Sequence, residues 1–294
     1  MNIMRLAIIC PVKDAASTLP RLLKSYVSQT SFSDCVAYFV LDPSADETER
    51  ILSDFAQKYP NNAKIIRSDG LQGPSLNRFA GIRASGEPYI SFMDSDDELT
   101  PEYARTIIDT LDKEYDAVDF SFFTQTQDKP RPYRLRGKQK ELDRYKAIRL
   151  LLNDSSMRGF LWCKAFRREA LLSDPLVLPQ FLFEDMPLVF STFLSCDKIA
   201  YLSEPLYVYW KRSGSAMRGD NRERASLHLA SFLSMYDYAK AKGDETAKRI
   251  VSNAYLRMRL SLEYDIGLAK KDGLSKREAK AILAKLRSIK QNRS

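Results

Sequence analysis

The fold follows from one stretch of the chain, Pro88-Tyr89-Ile90-Ser91-Phe92-Met93-Asp94-Ser95-Asp96-Asp97, an apolar run that ends in three carboxylates within four residues. The apolar part predicts a buried strand, and in a parallel α/β sheet ligands bind just beyond the carboxyl ends of the strands. Carboxylates placed side by side there repel one another unless a cation lies between them. They suit a hard divalent ion, Mg²⁺ or Mn²⁺, held together with substrate phosphates. Asp and Ser also form ordinary turns and helix caps, so the stretch alone leaves a structural role open.

Strand-like and helix-like patterns alternate on both sides of this stretch. Apolar runs at residues 6–10, 36–41, 65–66 and 117–123 have the composition of buried strands. Between the first two, apolar residues recur at helical spacing, at Leu19, Leu22, Leu23, Tyr26 and Val27. Such alternation predicts βαβ units and a parallel sheet with right-handed crossovers.

The character of the chain changes near residues 216–220. Before this point, residues 201–202 and 206–210 are strand-like. Residues 128–140 predict a basic, proline-containing loop, which is either a solvated connection or faces an acceptor or a phosphate. After it, only helices are predicted, over roughly 221–242, 244–271 and 275–290. We therefore predict a domain over residues 1–217, with halves at about 1–120 and 121–217, and a helical region over residues 218–294.

The composition is that of a globular protein, with 44% hydrophobic and 29% charged residues among 294. No apolar run approaches the roughly 18–20 residues that span a bilayer, and the N-terminus lacks a signal-peptide pattern. The cysteines, Cys10, Cys35, Cys163 and Cys196, are far apart, which favours reduced thiols in a cytoplasmic protein. The single histidine, His228, excludes a multi-histidine zinc site, and its apolar helical surroundings favour a structural role over a place in a histidine-dependent triad.

The net charge of +8 is concentrated at the C-terminus. Residues 270–294 contain nine Lys and Arg against two acidic residues, an excess of seven. The remainder is close to neutral, unlike a protein whose whole face binds nucleic acid. The basic residues surround an apolar helical stripe of Ala279, Ile282, Leu283, Leu286 and Ile289. Three interpretations stay open, namely packing of the stripe on the domain, attachment to an anionic membrane surface, and nucleic-acid binding.

The first strand-to-helix loop excludes the two common phosphate-binding loops. Residues 11–17, Pro-Val-Lys-Asp-Ala-Ala-Ser, contain no glycine, whereas a dinucleotide site needs G-x-G-x-x-G there. No G-x-x-x-x-G-K-[ST] sequence occurs in the chain. A bound diphosphate must therefore be neutralised in another way, for which Asp94-Ser95-Asp96 with a metal ion is the candidate.

Several short motifs occur in a fixed order: Cys-Pro-Val-Lys-Asp at 10–14, Val-Leu-Asp-Pro-Ser-Ala-Asp at 40–46, Gly-Pro-Ser-Leu-Asn-Arg-Phe-Ala-Gly at 73–81, Asp-Ser-Asp-Asp at 94–97, Trp-Cys-Lys at 162–164, Glu-Asp at 184–185, and Pro-Leu-Tyr through Ser at 205–215. This ordered set, over about residues 4–217, resembles the family 2 inverting glycosyltransferases of the GT-A fold, of the bacterial surface-polysaccharide type. The resemblance implies an α/β fold, with a Rossmann-like mixed, mainly parallel sheet flanked by helices and a C-terminal helical extension.

The resemblance also implies roles for particular residues. Asp185 is the expected general base, and Asp96 the expected ligand of a Mn²⁺ or Mg²⁺ ion that bridges two phosphates. Donor binding is expected from Pro11, Asp42, Arg78, Asp94 and Ser95. Among these, Asp42 would contact the base, Arg78 the base or diphosphate, and Asp94 the ribose. Further candidates are Asp97, Trp162, Lys164, Glu184, Arg212 and Ser215.

The implied reaction moves a sugar from a nucleotide-diphosphate sugar, with a UDP-sugar expected, to a hydroxyl of a glycan or lipid-linked acceptor in surface polysaccharide synthesis. The expected location is the cytoplasm, or the inner face of the cell membrane through the C-terminal helix. Two alternatives remain. A sugar-phosphate nucleotidyltransferase would usually show a glycine-rich N-terminal loop, which this chain lacks. A nucleic-acid-binding protein has only the basic C-terminal helix in its favour, and nucleic acid is not an expected partner.

Overall fold

The computed structural model describes residues 5–70, 73–125, 130–133, 140–153, 157–211 and 223–291. The strands are β1 (Leu6–Val12), β2 (Cys35–Leu41), β3 (Ala63–Arg67), β4 (Tyr89–Phe92), β5 (Glu98–Leu99), β6 (Ala117–Gln125), β7 (Pro130–Tyr133), β8 (Lys140–Leu142), β9 (Lys164–Arg167) and β10 (Ile199–Trp210). The helices are α1 (Leu19–Val27), α2 (Thr48–Lys58), α3 (Gly73–Ala84), α4 (Tyr103–Leu111), α5 (Arg144–Asn153), α6 (Arg168–Leu172), α7 (Asp185–Leu194), α8 (Arg224–Ala241), α9 (Glu245–Asn253), α10 (Tyr255–Lys271) and α11 (Lys276–Gln291).

The strands of the described residues form one mixed sheet in the order β3-β2-β1-β4-β9-β6-β10-β5, with β7 beside β6 and β8 beside β10. The first four strands are parallel. β9 is antiparallel to both of its neighbours, β4 and β6, whereas β10 is parallel to β6. The predicted mixed, mainly parallel sheet flanked by helices is therefore confirmed.

Both faces of the sheet are buried. Leu6, Ile8 and Cys10 of β1 belong to one apolar core, and the intervening Ala7 and Ile9 belong to the other. This alternation explains the uninterrupted apolar sequence, because a strand covered by helices on both sides needs apolar residues at every position.

Helix α3 lies unusually close to the sheet. A Cβ atom added to Gly81 would lie 2.6 Å from Cγ2 of Ile9, a distance that real Cβ atoms do not show. Glycine therefore lets α3 approach β1, and this approach sets the position of Arg78, one turn earlier on the same helix.

Three expectations about the second half of the chain need correction. Residues 128–140 are not wholly a loop, because residues 130–133 pair with β6 as β7 and Lys140 begins β8; residues 126–129 and 134–139 lie outside the described part. The single helix predicted over 244–271 is two helices that meet at Ala254. The strand-like runs at 201–202 and 206–210 are one strand, β10, with irregular register between Leu202 and Tyr207.

The C-terminal helices share a core with the sheet. Phe232 and Met235 of α8 and Leu262 of α10 belong to the same buried cluster as Ile9 and Phe92. The stripe of α11 is buried there as well, with Leu286 fully covered and Ala279, Ile282 and Ile289 nearly so. Packing of the stripe is thus the interpretation that the structure supports. No helix among the described residues has the length and apolar character required to cross a membrane.

Candidate active site

The carboxylates singled out in the sequence meet at one edge of the sheet. Asp42 directly follows β2, and Asp94 lies two residues after the end of β4. Since β1 pairs in parallel with both of these strands, their carboxyl ends lie on the same side. This is the edge at which open α/β sheets bind ligands.

Asp94, Asp96 and Asp97 form a cluster in which one carboxylate oxygen of each lies within 4.8 Å of the others. Asp97 differs from its neighbours, because it is 1% exposed and both of its oxygens accept hydrogen bonds. Its Oδ2 accepts from the Tyr207 hydroxyl at 2.9 Å, and its Oδ1 accepts from the backbone N–H of Trp210 at 2.8 Å. Burial, followed by the charges of Asp96 and Asp94, raises the pKa of Asp97 well above its usual range.

This donor set fits a Mn²⁺ or Mg²⁺ ion. The oxygens are hard ligands, and Asp94 and Asp96 are only half-buried, so a cation and a substrate phosphate can reach them. Asp97 instead ties the loop to β10. We therefore take Asp94 and Asp96 as the candidate ligands and Asp97 as the residue that fixes their backbone.

Arg78 joins this cluster to the first turn of α7. Arg78 is 5% exposed, and its guanidinium group forms ion pairs with three carboxylates. Nη2 lies 2.9 Å from Oδ1 of Asp94, while Nη1 lies 2.9 Å from Oδ1 of Asp185 and 3.1 Å from Oε1 of Glu184. Arg78 is therefore positioned by protein carboxylates on both sides, and a bound diphosphate would have to share it with them.

Burial controls the protonation of the two acidic residues on α7. It raises the pKa of Glu184 to about 7, aided by the charge of Asp185 and opposed by Arg78. Burial also raises the pKa of Asp185, again against the effect of Arg78. Burial alone would lower the pKa of Arg78, but the charges of Asp185, Asp94 and Glu184 raise it above its usual value. The site thus combines a permanent cation with carboxyls whose proton affinity is increased, which is typical of acid–base chemistry.

Asp185 has two fixed contacts. Besides the ion pair of its Oδ1 with Arg78, its Oδ2 accepts a hydrogen bond from the backbone N–H of Leu161 at 3.1 Å. Each carboxylate oxygen has a second lone pair, so these contacts orient the group and still leave acceptor capacity for a proton.

Asp42 lies deeper than the metal-site candidates. It is 2% exposed, its Oδ1 accepts from the Ser68 hydroxyl at 2.6 Å, and its Oδ2 accepts from the backbone N–H of Gly73 at 3.1 Å. Pro11 lies within β1 at the same edge, and the carbonyl of Ser95 accepts from the Thr18 hydroxyl at 2.8 Å. All three residues lie at or just beyond the carboxyl ends of β1, β2 and β4.

The aromatic side of the site is a stack around Trp162. The Trp162 ring is parallel to the rings of Phe160, Tyr207 and Tyr209, with centroids 5.0, 4.8 and 5.5 Å away. Trp162 is 4% exposed and Tyr207 is fully buried, so Phe160, which is 41% exposed, is the ring of this stack that is most open to a ligand. Lys164, by contrast, is fully buried, with its Nζ 2.8 Å from Oδ1 of Asp119 and donating to the Phe160 carbonyl at 3.0 Å. Lys164 therefore holds the 160–164 segment in place and does not face a substrate. Arg212 and Ser215 lie outside the described residues.

The role of Tyr207 was not predicted from the sequence. Its hydroxyl accepts from the backbone N–H of Asp94 at 2.9 Å and donates to Asp97, so it fixes both ends of the carboxylate loop. Trp210 has a related role, since its indole N–H donates to Oε1 of Glu98 at 2.6 Å and the Arg21 guanidinium lies 4.0 Å from its ring centroid. The alternating aromatic residues of β10 were the available signal, but only pairing with β5 brings them to the loop.

Known proteins have sequences similar to that of this chain. The EpsH protein of Bacillus subtilis (strain 168), which carries a glycosyltransferase name, is 28% identical over 208 residues, which are 69% of this chain and 60% of EpsH. The minor teichoic acid biosynthesis protein GgaA of the same organism is 25% identical over 212 residues, 70% of this chain and 47% of GgaA. The chain thus spans about half to three fifths of the length of these two relatives.

A solved structure with the same fold is that of residues 1–349 of S. aureus TarS in complex with UDP-GlcNAc. It superimposes with a TM-score of 0.76 over 97% of this chain and 81% of that chain, at 20% sequence identity. This similarity concerns the fold, which is the GT-A fold expected from the sequence motifs.

The model of the family described as Glycosyl transferase family 2 matches residues 7–173, which is more than half of the chain. That segment contains β1 to β4, the carboxylate cluster, Arg78 and Trp162. The chain therefore belongs to glycosyl transferase family 2.

Proposed function

We propose that this protein transfers a sugar, with inversion of the anomeric centre, from a nucleotide-diphosphate sugar to a hydroxyl group of a glycan or lipid-linked acceptor. A UDP-sugar is the proposed donor, and synthesis of a bacterial surface polysaccharide is the proposed setting. The single observation that carries the proposal is the position of Arg78 between Asp94 and Asp185. One residue thereby links a candidate phosphate and metal site to a candidate base.

The donor is proposed to bind in the cleft between the ends of β1, β2 and β4. Asp42, near Pro11, is proposed to accept a hydrogen bond from the base, and Asp94, near Ser95, is proposed to accept one from the ribose. TarS, which has the same fold, was solved with UDP-GlcNAc, and this supports a uridine nucleotide as donor. The Asp42 carboxylate now accepts hydrogen bonds from the Ser68 hydroxyl and the Gly73 N–H. When the nucleotide sugar binds, Asp42 would exchange these for hydrogen bonds from the base.

Asp96 and Asp94 are the residues proposed to hold the Mn²⁺ or Mg²⁺ ion. A bound divalent ion would neutralise the negative charge that grows on the diphosphate as the sugar leaves. The chain contributes the fixed geometry of the loop, because Tyr207 and the Trp210 backbone hold Asp97 while Arg78 holds Asp94. Such preorganised charges stabilise a transition state without reorganisation during the reaction.

Asp185 is proposed to accept the proton of the attacking hydroxyl. A sugar hydroxyl is a weak nucleophile at neutral pH, so a carboxylate must remove its proton as the new bond forms. Burial raises the pKa of Asp185, so this carboxylate binds a proton more tightly than usual. Arg78 and the Leu161 N–H fix the orientation of the carboxylate. One base that acts on the face opposite the leaving group produces a single displacement, and this inverts the anomeric centre. Glu184 is the competing candidate because it is also bound to Arg78.

Trp162 is proposed to support the acceptor side from behind the exposed Phe160 ring. The 160–164 segment supplies both the aromatic stack and the Leu161 N–H that orients Asp185. An acceptor sugar that packs on the exposed Phe160 ring, behind which Trp162 is buried, would bring its hydroxyl towards the base. The teichoic acid role in the name of GgaA supports a surface polymer as the acceptor class.

Peripheral attachment to an anionic membrane is a further part of the proposal. The apolar stripe of α11 is buried, so attachment would depend on its exposed basic residues, Lys276, Arg277, Lys280, Lys285 and Arg287. Each basic residue near an anionic surface contributes about 1 kcal/mol, and salt screens the attraction. Sedimentation with anionic vesicles at low salt should be lost in the double variant Lys280→Glu/Arg287→Glu. Equal binding to neutral vesicles, or no binding at low salt, would reject this part.

The experiment that tests the proposed function is a panel of nucleotide sugars incubated with the protein and Mn²⁺. We expect one donor to raise the melting temperature and to be hydrolysed slowly without an acceptor. If no nucleotide sugar raises the melting temperature or is hydrolysed, and the protein binds DNA or RNA in a salt-dependent manner, the proposed function is rejected in favour of nucleic-acid binding.

A further inference from the structure

Phe183, two residues before Asp185, has a strained backbone. Its φ angle is +59°, in the left-handed region that bulky residues rarely adopt. Such a conformation persists only where the surrounding structure holds it in place. The segment that leads into α7 is therefore held by contacts outside itself.

Those contacts come from α8. The ring of His228 stacks on the ring of Phe183, with centroids 4.1 Å apart and planes within 6° of each other. The guanidinium carbon of Arg224, one helical turn earlier on α8, lies 5.2 Å from the centroid of the same ring. The only histidine of the chain thus packs against the residue that sets the start of α7.

Both α8 residues are in turn fixed by Asp265 on α10. Asp265 is 3% exposed, its Oδ2 lies 2.6 Å from Nδ1 of His228, and its Oδ1 accepts from Nε of Arg224 at 2.7 Å. Although burial favours the neutral acid, the hydrogen bonds with His228 and Arg224 lower the pKa of Asp265. An ionised carboxylate in the helical region therefore orients the two side chains that hold Phe183.

The start of α7 carries the two carboxyls of the candidate active site. Glu184 precedes the helix and Asp185 is its first residue. A rotation of the backbone at Phe183 would move both carboxyls away from Arg78 and from the Leu161 N–H. Displacement by about 1 Å can cost a factor of about 100 in rate.

We propose that His228, through its stack on Phe183, is a positioning residue for Asp185. The C-terminal helices thereby form part of the catalytic machinery, because they hold the base at its working position. This inference rests on the proposed function, in which Asp185 is the base. His228 itself contacts neither donor nor acceptor.

His228→Ala and His228→Phe test this role as a pair. His228→Ala removes the stack, and we expect the turnover number to fall about 10- to 100-fold. The dissociation constant of UDP should stay within about twofold, because the donor cleft is not touched. His228→Phe keeps an aromatic ring over Phe183 and should restore most of the turnover. A role of His228 in overall stability alone predicts equal turnover per folded molecule in all three proteins.

Two further variants keep the test informative if His228→Ala folds poorly. Phe183→Gly adopts the same φ angle without strain but removes the ring, so it should fold and show the same loss of turnover. Tyr238→Phe is the matched control on α8, since it removes the hydrogen bond to the Asp174 carbonyl and leaves Phe183 untouched. It should change the melting temperature and not the turnover number.

Crystal structures of His228→Ala and Phe183→Gly decide the inference independently of activity. We expect the Asp185 carboxylate to leave Arg78, from which it lies 2.9 Å in the wild-type protein. If Asp185 stays in place in both variants, the inference is overturned. If the wild-type protein transfers no sugar, the proposed function fails, and the position of Asp185 still shows whether His228 fixes it. If the wild-type protein is active and both variants match its turnover, the inference fails and the proposed function stands.

Discussion

Arg78 and Asp185 form an ion pair of 2.9 Å although 107 residues separate them in the chain. The pair joins α3, which lies against the donor half of the sheet, to α7, which begins in the second half. Because Nη2 of Arg78 also lies 2.9 Å from Asp94, the charge of the proposed base and that of the proposed metal site are coupled through one guanidinium group. A substitution that changes the charge in either half should therefore change the electrostatics of the other half.

The first prediction concerns the base. Asp185→Asn should lower the turnover number by about 10²- to 10⁴-fold, the usual effect of losing a general base. Donor binding should persist, because Asn keeps the shape of the side chain and its contact with the Leu161 N–H. Steady-state kinetics together with calorimetry of UDP binding would measure both quantities.

Glu184→Gln is the matched control for Asp185→Asn, since Glu184 is bound to the same nitrogen of Arg78. It should retain much more activity than Asp185→Asn. If Glu184→Gln alone is inactive, the base is Glu184. If Asp185→Asn only loses about 1 kcal/mol of stability, with unchanged turnover per folded molecule, Asp185 merely stabilises the first turn of α7.

The second prediction concerns Arg78. Arg78→Ala should weaken the binding of UDP more than that of uridine, because three carboxylates then face the diphosphate without their cation. Removing one partner of a buried ion pair also costs about 3–5 kcal/mol of stability, so Arg78→Lys should be made in parallel. Lysine keeps a point charge but cannot bridge both sides as the guanidinium fork does.

Arg83→Ala is the control for Arg78, since Arg83 lies on the same helix with an exposed side chain. It should bind both ligands like the wild-type protein. Equal losses of UDP and uridine affinity in the Arg78 variants would contradict the phosphate-side role. They would indicate a base contact or a purely structural arginine.

The strand and the carboxylates of the proposed metal site could be predicted from the sequence. The run from Pro88 to Met93 predicts a buried strand, and three carboxylates directly after a parallel strand must lie at the ligand-binding edge. These predictions need only local pattern and one rule of topology. The structure confirms the strand and brings Asp94, Asp96 and Asp97 together.

The side-chain contacts that join the two halves could not be predicted from the sequence, because they depend on long-range packing. Nothing in the sequence pairs Arg78 with Glu184 or Asp185, and nothing indicates that the Tyr207 hydroxyl reaches Asp97. The division between α9 and α10 at Ala254 was missed because neither glycine nor proline marks it. Lys164 was a candidate only through the Trp-Cys-Lys motif at 162–164, and the motif does not show its burial or its ion pair with Asp119.

The third prediction concerns the metal site. Asp96→Ala should lose the increase in melting temperature that Mn²⁺ gives the wild-type protein, and about 100-fold or more of the turnover. Its melting temperature in EDTA should not fall, since one of three mutually repelling carboxylates is removed. Asp109→Ala, which removes an exposed carboxylate paired with Arg105, is the control. Full wild-type activity in EDTA would exclude a metal-dependent reaction.

The fourth prediction is a pH dependence of stability that arises from Glu184. Its folded-state pKa of about 7 lies above the ordinary value of 4.5, so the folded protein binds the proton more tightly than the unfolded chain. This contribution to the free energy of unfolding is fully present below about pH 4.5 and is lost as the pH rises through 7. One pKa unit corresponds to about 1.4 kcal/mol, which sets the effect at up to about 3 kcal/mol.

Urea denaturation at several pH values would measure this effect as a difference between the wild-type protein and Glu184→Gln. The stability of the wild-type protein should fall relative to the variant between pH 5 and 8. Parallel pH profiles for the two proteins would mean that Glu184 titrates normally and that its burial does not perturb it.

A single displacement with Asp185 as the base fixes the anomeric configuration of the sugar that the protein releases from its UDP-sugar donor in the presence of Mn²⁺. Proton NMR spectra recorded early in the reaction, before the free sugar equilibrates, would give this configuration. We predict that an α-linked donor yields the β-anomer, and that the signal disappears with EDTA and in Asp185→Asn. Release of the α-anomer, or release that continues unchanged in Asp185→Asn, would contradict a single displacement with Asp185 as the base.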